Sequence, residues 1–268
     1  MSLLRPLIAS FLVTFILVGC ALSPKPGDIQ FAQSNGDVNS IDVDVDPLEG
    51  LNRILFAINE FLDTVVFQPA AATYRVILPE FVRDSIRSFL RNVKTPVVLA
   101  NDLLQGSWDR AESTVMRFLI NTTIGIGGLY DAADEMGYAY HDEDFGQTLG
   151  VYGVGNYPYL VLPILGPSSA RDGVGTLVDT YLDPLTYFAG DDVLLARRGV
   201  SGIDLRARNI ENIEELKRDS IDFYARIRSI YMQRRIDEIN NGERTDVYPA
   251  PGLSKDGDGG GQVTSVDD

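Results

Sequence analysis

His141-Asp142-Glu143-Asp144 is the densest run of side chains capable of acid–base or metal chemistry, and it holds the only histidine among 268 residues. A cation needs ligands that converge on one point. Adjacent side chains on an extended loop diverge, and the spacing is not that of an EF-hand loop. The run reads as a polar loop whose acids cap the helix that follows, with His141 hydrogen-bonded to backbone. Nucleophilic catalysis has no elbow to use: Gly166-Pro-Ser-Ser-Ala and Gly199-Val-Ser-Gly-Ile both lack the Gly-x-Ser-x-Gly spacing. Nothing marks a serine as partner to His141. Gly125-Ile126-Gly127-Gly128 lacks the Gly-Lys-Ser/Thr ending and the preceding strand of a phosphate loop. No catalytic, metal or cofactor site is expected. A lipid hydrolase working through His141 is the enzymatic alternative, and a structural envelope protein is the non-enzymatic one.

One residue does carry a chemical signature. Cys20, the only cysteine, closes Leu17-Val18-Gly19-Cys20 after a basic start at Arg5 and an uncharged run from Leu7 to Val18. A basic start, a short apolar middle and small residues at the end describe a secretory signal. Leu-x-Gly-Cys is the bacterial lipobox, in which the cysteine receives lipid and becomes the mature N-terminus. Residues 1–19 are therefore expected to be signal peptide and Cys20 the lipid anchor. Each buried acyl methylene contributes about 0.8 kcal/mol, so a multiply acylated cysteine holds permanently. Ala21 stands where aspartate would retain the protein in the inner membrane, which favours the outer one. The formal charge of −15 makes nucleic acid a poor partner and repels anionic headgroups, leaving lipid and apolar side chains to make the attachment.

Residues 20–45, rich in Pro, Gly, Asn and Asp, read as a flexible tether. Order is expected from Asp46-Pro47, an N-cap followed by proline at the first helical position. Leu51, Ile54, Leu55, Ile58, Phe61, Leu62, Val65 and Val66 then recur at three-and-four spacing, giving an amphipathic helix with a wide apolar face. That face either packs on a soluble core or lies in the headgroup boundary of a leaflet. Further helices are expected after Pro79, from Thr95-Pro96 to Gly106, and from a Ser107 cap through Leu119. Toward the C-terminus, Asp191 or Asp192 caps another. A long charge-laced helix runs from Ile213 to Asn240, with Glu214, Lys217, Arg218, Asp222, Arg226 and Arg235 on a solvated face. No two-residue alternation or Asn-Gly hairpin is evident, so the fold is expected to be all-α. Residues 46–242 form one domain, and 243–268 an acidic, Gly-rich disordered tail.

The middle departs from this pattern. Residues 121–131 are glycine-rich, and Phe145 to Ala170 contains no charged residue. The uncharged stretch is long enough to span a bilayer. Pro158, Pro163 and Pro167, with Gly150, Gly153, Gly155 and Gly166, rule out one regular helix. It is either an irregular core segment or, at membrane depth, the wall of a cavity, because irregular backbone there is tolerated only inside protein or against water.

Several stretches resemble one family in order: Asp46-Pro-Leu-Glu-Gly-Leu-Asn-Arg53, Asn101-Asp-Leu-Leu-Gln-Gly106, Arg117 to Asp131, Asp144 to Gly155, and Tyr157-Pro-Tyr-Leu-Val-Leu-Pro-Ile-Leu-Gly-Pro167 with Arg171-Asp-Gly173. They look like the MlaA/VacJ phospholipid-binding lipoproteins; Leu51 stands where common members have Phe. The resemblance implies a doughnut-like helical protein in the periplasmic-side leaflet of the Gram-negative outer membrane. It also implies a central amphipathic channel by which misplaced glycerophospholipids leave the outer leaflet. Trimeric porins, a soluble periplasmic carrier and, through it, an inner-membrane ATP-driven transporter are the implied partners, with no cofactor. On this reading Asn121, Gly125, Gly127, Gly128, Tyr152, Tyr159, Leu160, Val161, Leu162, Pro163 and Ile164 border the channel. Leu51, Ile54, Leu55, Ile58, Phe61 and Leu62 face the membrane.

Overall fold

The computed structural model describes residues 46–241; the expected signal, the Cys20 anchor, the tether and the tail lie outside the described residues. The Asp46 carboxylate accepts from the Leu48 N–H at 3.0 Å, but it is not the expected cap: Pro47 precedes the helix and Leu48 stands at its N-cap. Helix α1 (Glu49–Leu62) runs through a π-helical turn (Asp63–Phe67) into α2 (Gln68–Ile77). The wider turn turns Asp63 toward Arg206, which grips it with two bonds of 2.7 and 3.0 Å. This 29-residue run is long and apolar enough to cross a membrane. Its polar residues, however, are tied to the domain along its length: Arg53 to Asp222, Glu60 to Lys217 and Arg75 to Glu211. The run thus lies along the molecule, with Leu51, Ile54, Ile58, Phe61, Val65 and Val66 exposed and Leu55 and Leu62 half-buried.

Helix α3 (Glu80–Leu104) is unbroken at Pro96, contrary to the expected start of a new helix there. Buried Asn92 before the proline and Val97, Val98, Asn101 and Asp102 after it are all packed inward, and that packing outweighs the lost backbone bond. A tight turn at Gly106 (φ +74°) returns the chain as α4 (Trp108–Thr123). Two short helices, α5 (Ala132–Glu135) and α6 (Phe145–Val151), follow.

The fold is predominantly helical, as expected, and the uncharged stretch is not one helix; it holds the one short pair of strands among the described residues, which the sequence did not show. Tyr159–Leu162 (β1) and Gly166–Ser169 (β2) form an antiparallel hairpin, with Tyr159 opposite Ser169 and Leu162 opposite Gly166. Four residues per strand are too few for alternation to show. The open edge of β1 is closed by two side chains of α1, one two turns beyond the other. Asn52 donates to the Tyr159 carbonyl (3.0 Å) and accepts from the Val161 N–H (2.9 Å). Asn59 does the same for the Leu162 carbonyl (2.8 Å) and the Ile164 N–H (2.7 Å). These amides stand in for a third strand, satisfying backbone groups that would be costly to bury unpaired.

The remaining elements are α7 (Ala170–Leu182), α8 (Leu185–Phe188), α9 (Asp191–Arg208), α10 (Ile210–Asp219) and α11 (Phe223–Ile239). Asp191 and Asp192 occupy the first turn of α9, and Gly190 rather than either of them is the cap. The long C-terminal helix is two helices. The break falls at Ser220–Asp222, where Asp222 caps α11 by accepting from the Ala225 N–H at 3.1 Å.

Two small apolar clusters hold the core. Ile120, Ala132 and Ala133 pack with Met116 and Tyr138, while Tyr159, Val161 and Tyr224 pack with Leu55, Phe56, Tyr231 and Met232. Elsewhere the usual distribution is inverted. Asn52, Asn101, Asp102 and Ser169 are fully buried, whereas Phe61, Phe81, Trp108, Ile126, Tyr152, Leu195 and Phe188 are at least two-thirds or nearly so exposed. Buried polar groups and large exposed apolar surface are the informative deviations from a water-soluble globule.

Candidate functional site: a charged cavity behind the hairpin

Helices α3, α7, α9 and α11 and the hairpin enclose a partly open cavity of about 380 Å³. Its apolar wall comes from Val97, Leu162, Leu165, Pro167 and Leu194, and its hydroxyls from Thr176, Thr180, Thr186, Ser168 and Tyr231. Four carboxylates and four cations complete it: Asp144, Asp172, Asp179 and Asp183, with Lys94, Arg197, Arg198 and Arg235. A cavity with apolar and ionic walls suits an amphipathic guest.

The deepest ionic group forms where two helix starts meet. Asp144 caps α6 through the Gln147 N–H (2.8 Å), and Asp172 lies in the first turn of α7, itself capped by Ser169 (3.1 Å). A β-carbon on Gly175 would come within 2.4 Å of the Gly146 nitrogen, and one on Gly146 within 2.5 Å of Asp172 Oδ1. Only glycine lets these backbones approach. Arg235 of α11 fills the notch between them. It donates to both Asp144 oxygens (2.8 and 2.9 Å), to Asp172 (2.9 Å) and to Glu238 (2.8 Å). Arg235 is therefore buried, not on a solvated face as its helical position suggested. Burial alone would raise the Asp144 carboxyl, but the bonds and charge of Arg235 hold it well below the usual carboxylate range. Tyr231 also donates to Asp172, and its hydroxyl is pushed up by burial and by that carboxylate.

Asp179 behaves differently. It accepts from Asn101 Nδ2 (3.0 Å) and the Phe145 N–H (3.1 Å), both neutral donors. Burial, with some repulsion from Asp144, pushes its carboxyl up to about 6 against those bonds and the Lys94 charge. Its ionisation therefore costs stability progressively as pH rises from the ordinary carboxylate value through 6.

A polar chain leads from the cavity toward His141. Asn101 accepts from Thr148 Oγ1 (2.9 Å), Gln105 donates to Thr148 (3.2 Å) and to Glu143 (2.8 Å), and Arg110 donates to Glu143 (2.5 Å). His141 Nε2 meets Asp102 (3.1 Å) and Thr114 Oγ1 (3.0 Å), which are side chains rather than the expected backbone. Asp102 and Thr114 share the same ring nitrogen, and Thr114 is buried. A nucleophile relay needs acid and hydroxyl on opposite nitrogens, so this trio is a structural lock. Asp144 does cap the following helix, as the loop's acids were expected to do.

The sequence-derived candidates fall in several places. Leu162 stands on the cavity wall. Tyr159 and Val161 are buried in the core cluster, and Leu160 alternates with them on β1. Ile164, beside Pro163 at the hairpin tip, is exposed with φ +66°. Tyr152 is exposed and donates to the Leu104 carbonyl (2.6 Å). Asn121 is buried, donating to Asp131 (2.9 Å) and accepting from the Ala133 N–H (2.9 Å). Gly125 packs against Tyr130, Gly128 against Asn92, and Gly127 takes φ +71°. This loop holds Ile126 at φ +52°, a costly state for a β-branched residue, and points it outward. Of the cavity's charges, Asp144 and Asp172 lie in motifs that carried the family resemblance; Asp179, Asp183, Arg197, Arg198 and Arg235 bore no local signal.

Known proteins share this architecture. The chain is 33% identical over 234 residues to the intermembrane phospholipid transport system lipoprotein MlaA of Escherichia coli K12, covering 86% of this chain and 87% of that one. The Haemophilus influenzae protein of the same name is 31% identical over 243 residues, 89% and 92% of the two chains. A Rickettsia prowazekii protein is 40% identical over 191 residues, 71% and 76%. A solved structure from work on the structural basis for maintenance of bacterial outer membrane lipid asymmetry superposes with a TM-score of 0.67 at 35% identity. The superposition covers 73% of this chain and all of that one. The MlaA lipoprotein family model matches residues 44–238, and the chain belongs to that family.

Proposed function

We propose that this protein is anchored through Cys20 in the periplasmic-side leaflet of the outer membrane and gives mislocalised glycerophospholipids a route from the outer leaflet toward the periplasm. The observation that carries this reading is the inverted burial: apolar side chains face outward on α1, α2, α4 and the 124–130 loop, while ionic and amide groups line the interior beside the cavity. Hydrocarbon accepts the first surface. The second lowers the cost of taking a headgroup's charges out of water. Such a route forms no covalent bond and needs no cofactor, and the protein acts as a conduit rather than an enzyme. Of the stretches 121–131 and 159–164, Leu162 borders the route at the cavity, and the exposed α1 residues Leu51, Ile54, Ile58 and Phe61 lie in the leaflet. A trimeric porin holds the protein in place, and a soluble periplasmic carrier takes the lipid onward to an inner-membrane ATP-driven transporter. That last, energised partner sets the direction. The intermembrane phospholipid transport system to which the E. coli and H. influenzae relatives belong supports this assignment.

A photo-reactive amino acid at Leu194, on the cavity wall, tests it against a control at Glu215, exposed on α10. Irradiated cells are expected to yield a phospholipid adduct at position 194 and none at 215, read by mass spectrometry. No adduct at 194, or equal adducts at both, would contradict the route.

A further inference from the structure

Most charges on the cavity wall are already neutralised. Arg235 is spent on Asp144 and Asp172, Arg197 meets Asp183 at 2.6 Å, and Lys94 meets Asp142 at 2.6 Å. Two are not. Asp179 of α7 has only the neutral donors Asn101 and Phe145 N–H, with no cation within salt-bridge distance among the described residues. Arg198 of α9 donates to Thr180 Oγ1 at 3.3 Å, and no carboxylate among the described residues is paired with it. Thr180 follows Asp179 in the same helix, so the unmatched anion and the unmatched cation open on one cavity.

We infer that this wall is a selectivity site for a zwitterionic headgroup, in which Arg198 takes the phosphodiester and Asp179 the ammonium beside it. This rests on the lipid-route reading and deepens it. A zwitterion satisfies both residual charges at once, whereas an anionic headgroup with a hydroxylated end leaves Asp179 facing neutral or negative atoms. Guanidinium is suited to phosphate oxygens, which accept from its planar fork of donors. The groups that face Asp179 are Asn101 and Lys94 of α3, the Phe145 N–H, and Asp144, whose own charge is held by Arg235. Protonating Asp179 thus removes the one anion available to an ammonium, and its titration near pH 6 places that loss in an accessible range.

The test uses the full-length protein in mild non-ionic detergent, stripped of lipid and then given equimolar phosphatidylethanolamine and phosphatidylglycerol in mixed micelles. Retained lipid is quantified by mass spectrometry. At pH 7.5 the wild type is expected to keep the zwitterionic lipid about fivefold over the anionic one, as one partly exposed charge pair would give. Lowering the pH to 5 removes that preference without any substitution, although both lipids keep their charges. Asp179→Asn preserves size and an acceptor and brings the ratio close to one, and Arg198→Gln lowers retention of both lipids. Equal retention by the wild type at pH 7.5, a preference for the anionic lipid, or a ratio unchanged by both pH 5 and Asp179→Asn overturns the selectivity site alone. Retention of neither lipid overturns the route and this site with it.

Discussion

Replacing Arg235 by leucine is expected to destabilise the protein by about 3–5 kcal/mol, the usual cost of stranding buried charge by removing one partner. The guanidinium is 10% exposed and bonds to Asp144 and Asp172 from two distant parts of the chain and to Glu238 one turn along its own helix. Without it, two carboxylates face each other where Gly146 and Gly175 bring the α6 and α7 backbones together. Leucine fills some of the space but answers none of the charge. Unfolding by denaturant in detergent measures the loss, and a midpoint within error of the wild type would refute the account of this notch. Acid produces a milder version of the same failure. The Asp144 carboxyl is held low in the folded state, so its contribution is complete above the ordinary carboxylate range and is lost as pH falls below it.

The second large effect separates folding from seating in the membrane. Ile54→Asp combined with Phe61→Asp is expected to leave the unfolding midpoint in detergent nearly unchanged, since exposed positions usually contribute within about 0.5 kcal/mol. These side chains are 61% and 65% exposed. In a leaflet the same pair becomes expensive. A charged residue at the hydrocarbon centre costs about 2.5–3.5 kcal/mol and less toward the interface, so the pair opposes immersion by on the order of 3 kcal/mol. The lipid anchor still holds the protein to the membrane, but α1 is lifted from it. Outer-leaflet phospholipid should then rise, as measured by impermeant amine-reactive labelling of whole cells. A normal outer leaflet in the double variant would mean that this apolar face serves some other contact.

What was legible in the sequence was local. The α1 stripe repeats within two or three turns, and the Asp144 cap sits three residues before its partner, so both could be read from spacing. The prolines and glycines after Gly150 forbade a regular helix, and none forms between Val151 and Ala170. The hairpin escaped because four-residue strands carry almost no periodicity and because its edge is closed by Asn52 and Asn59, more than 100 residues earlier. Arg235 read as solvated because its partners lie 91 and 63 residues away. The cavity charges were hidden for the same reason. Asp179 and Arg198 differ from any surface pair until α3, α7, α9 and α11 are assembled around them. Pro96 misled in the other direction: its local rule holds, but packing on both sides of it was stronger.

The measurement that bears most directly on the central claim is outer-leaflet phospholipid in cells whose only copy of this protein carries Thr176→Trp and Leu194→Trp. Both positions line the cavity; Thr176 donates only to the Asp172 carbonyl of its own helix (2.9 Å), and neither side chain belongs to the core clusters. The bulk fills the cavity while expression, lipidation and the unfolding midpoint stay close to wild type. Phospholipid is then expected to accumulate in the outer leaflet to the level seen when the protein is absent. A wild-type outer leaflet in cells holding this filled cavity would contradict the claim that lipid passes through it.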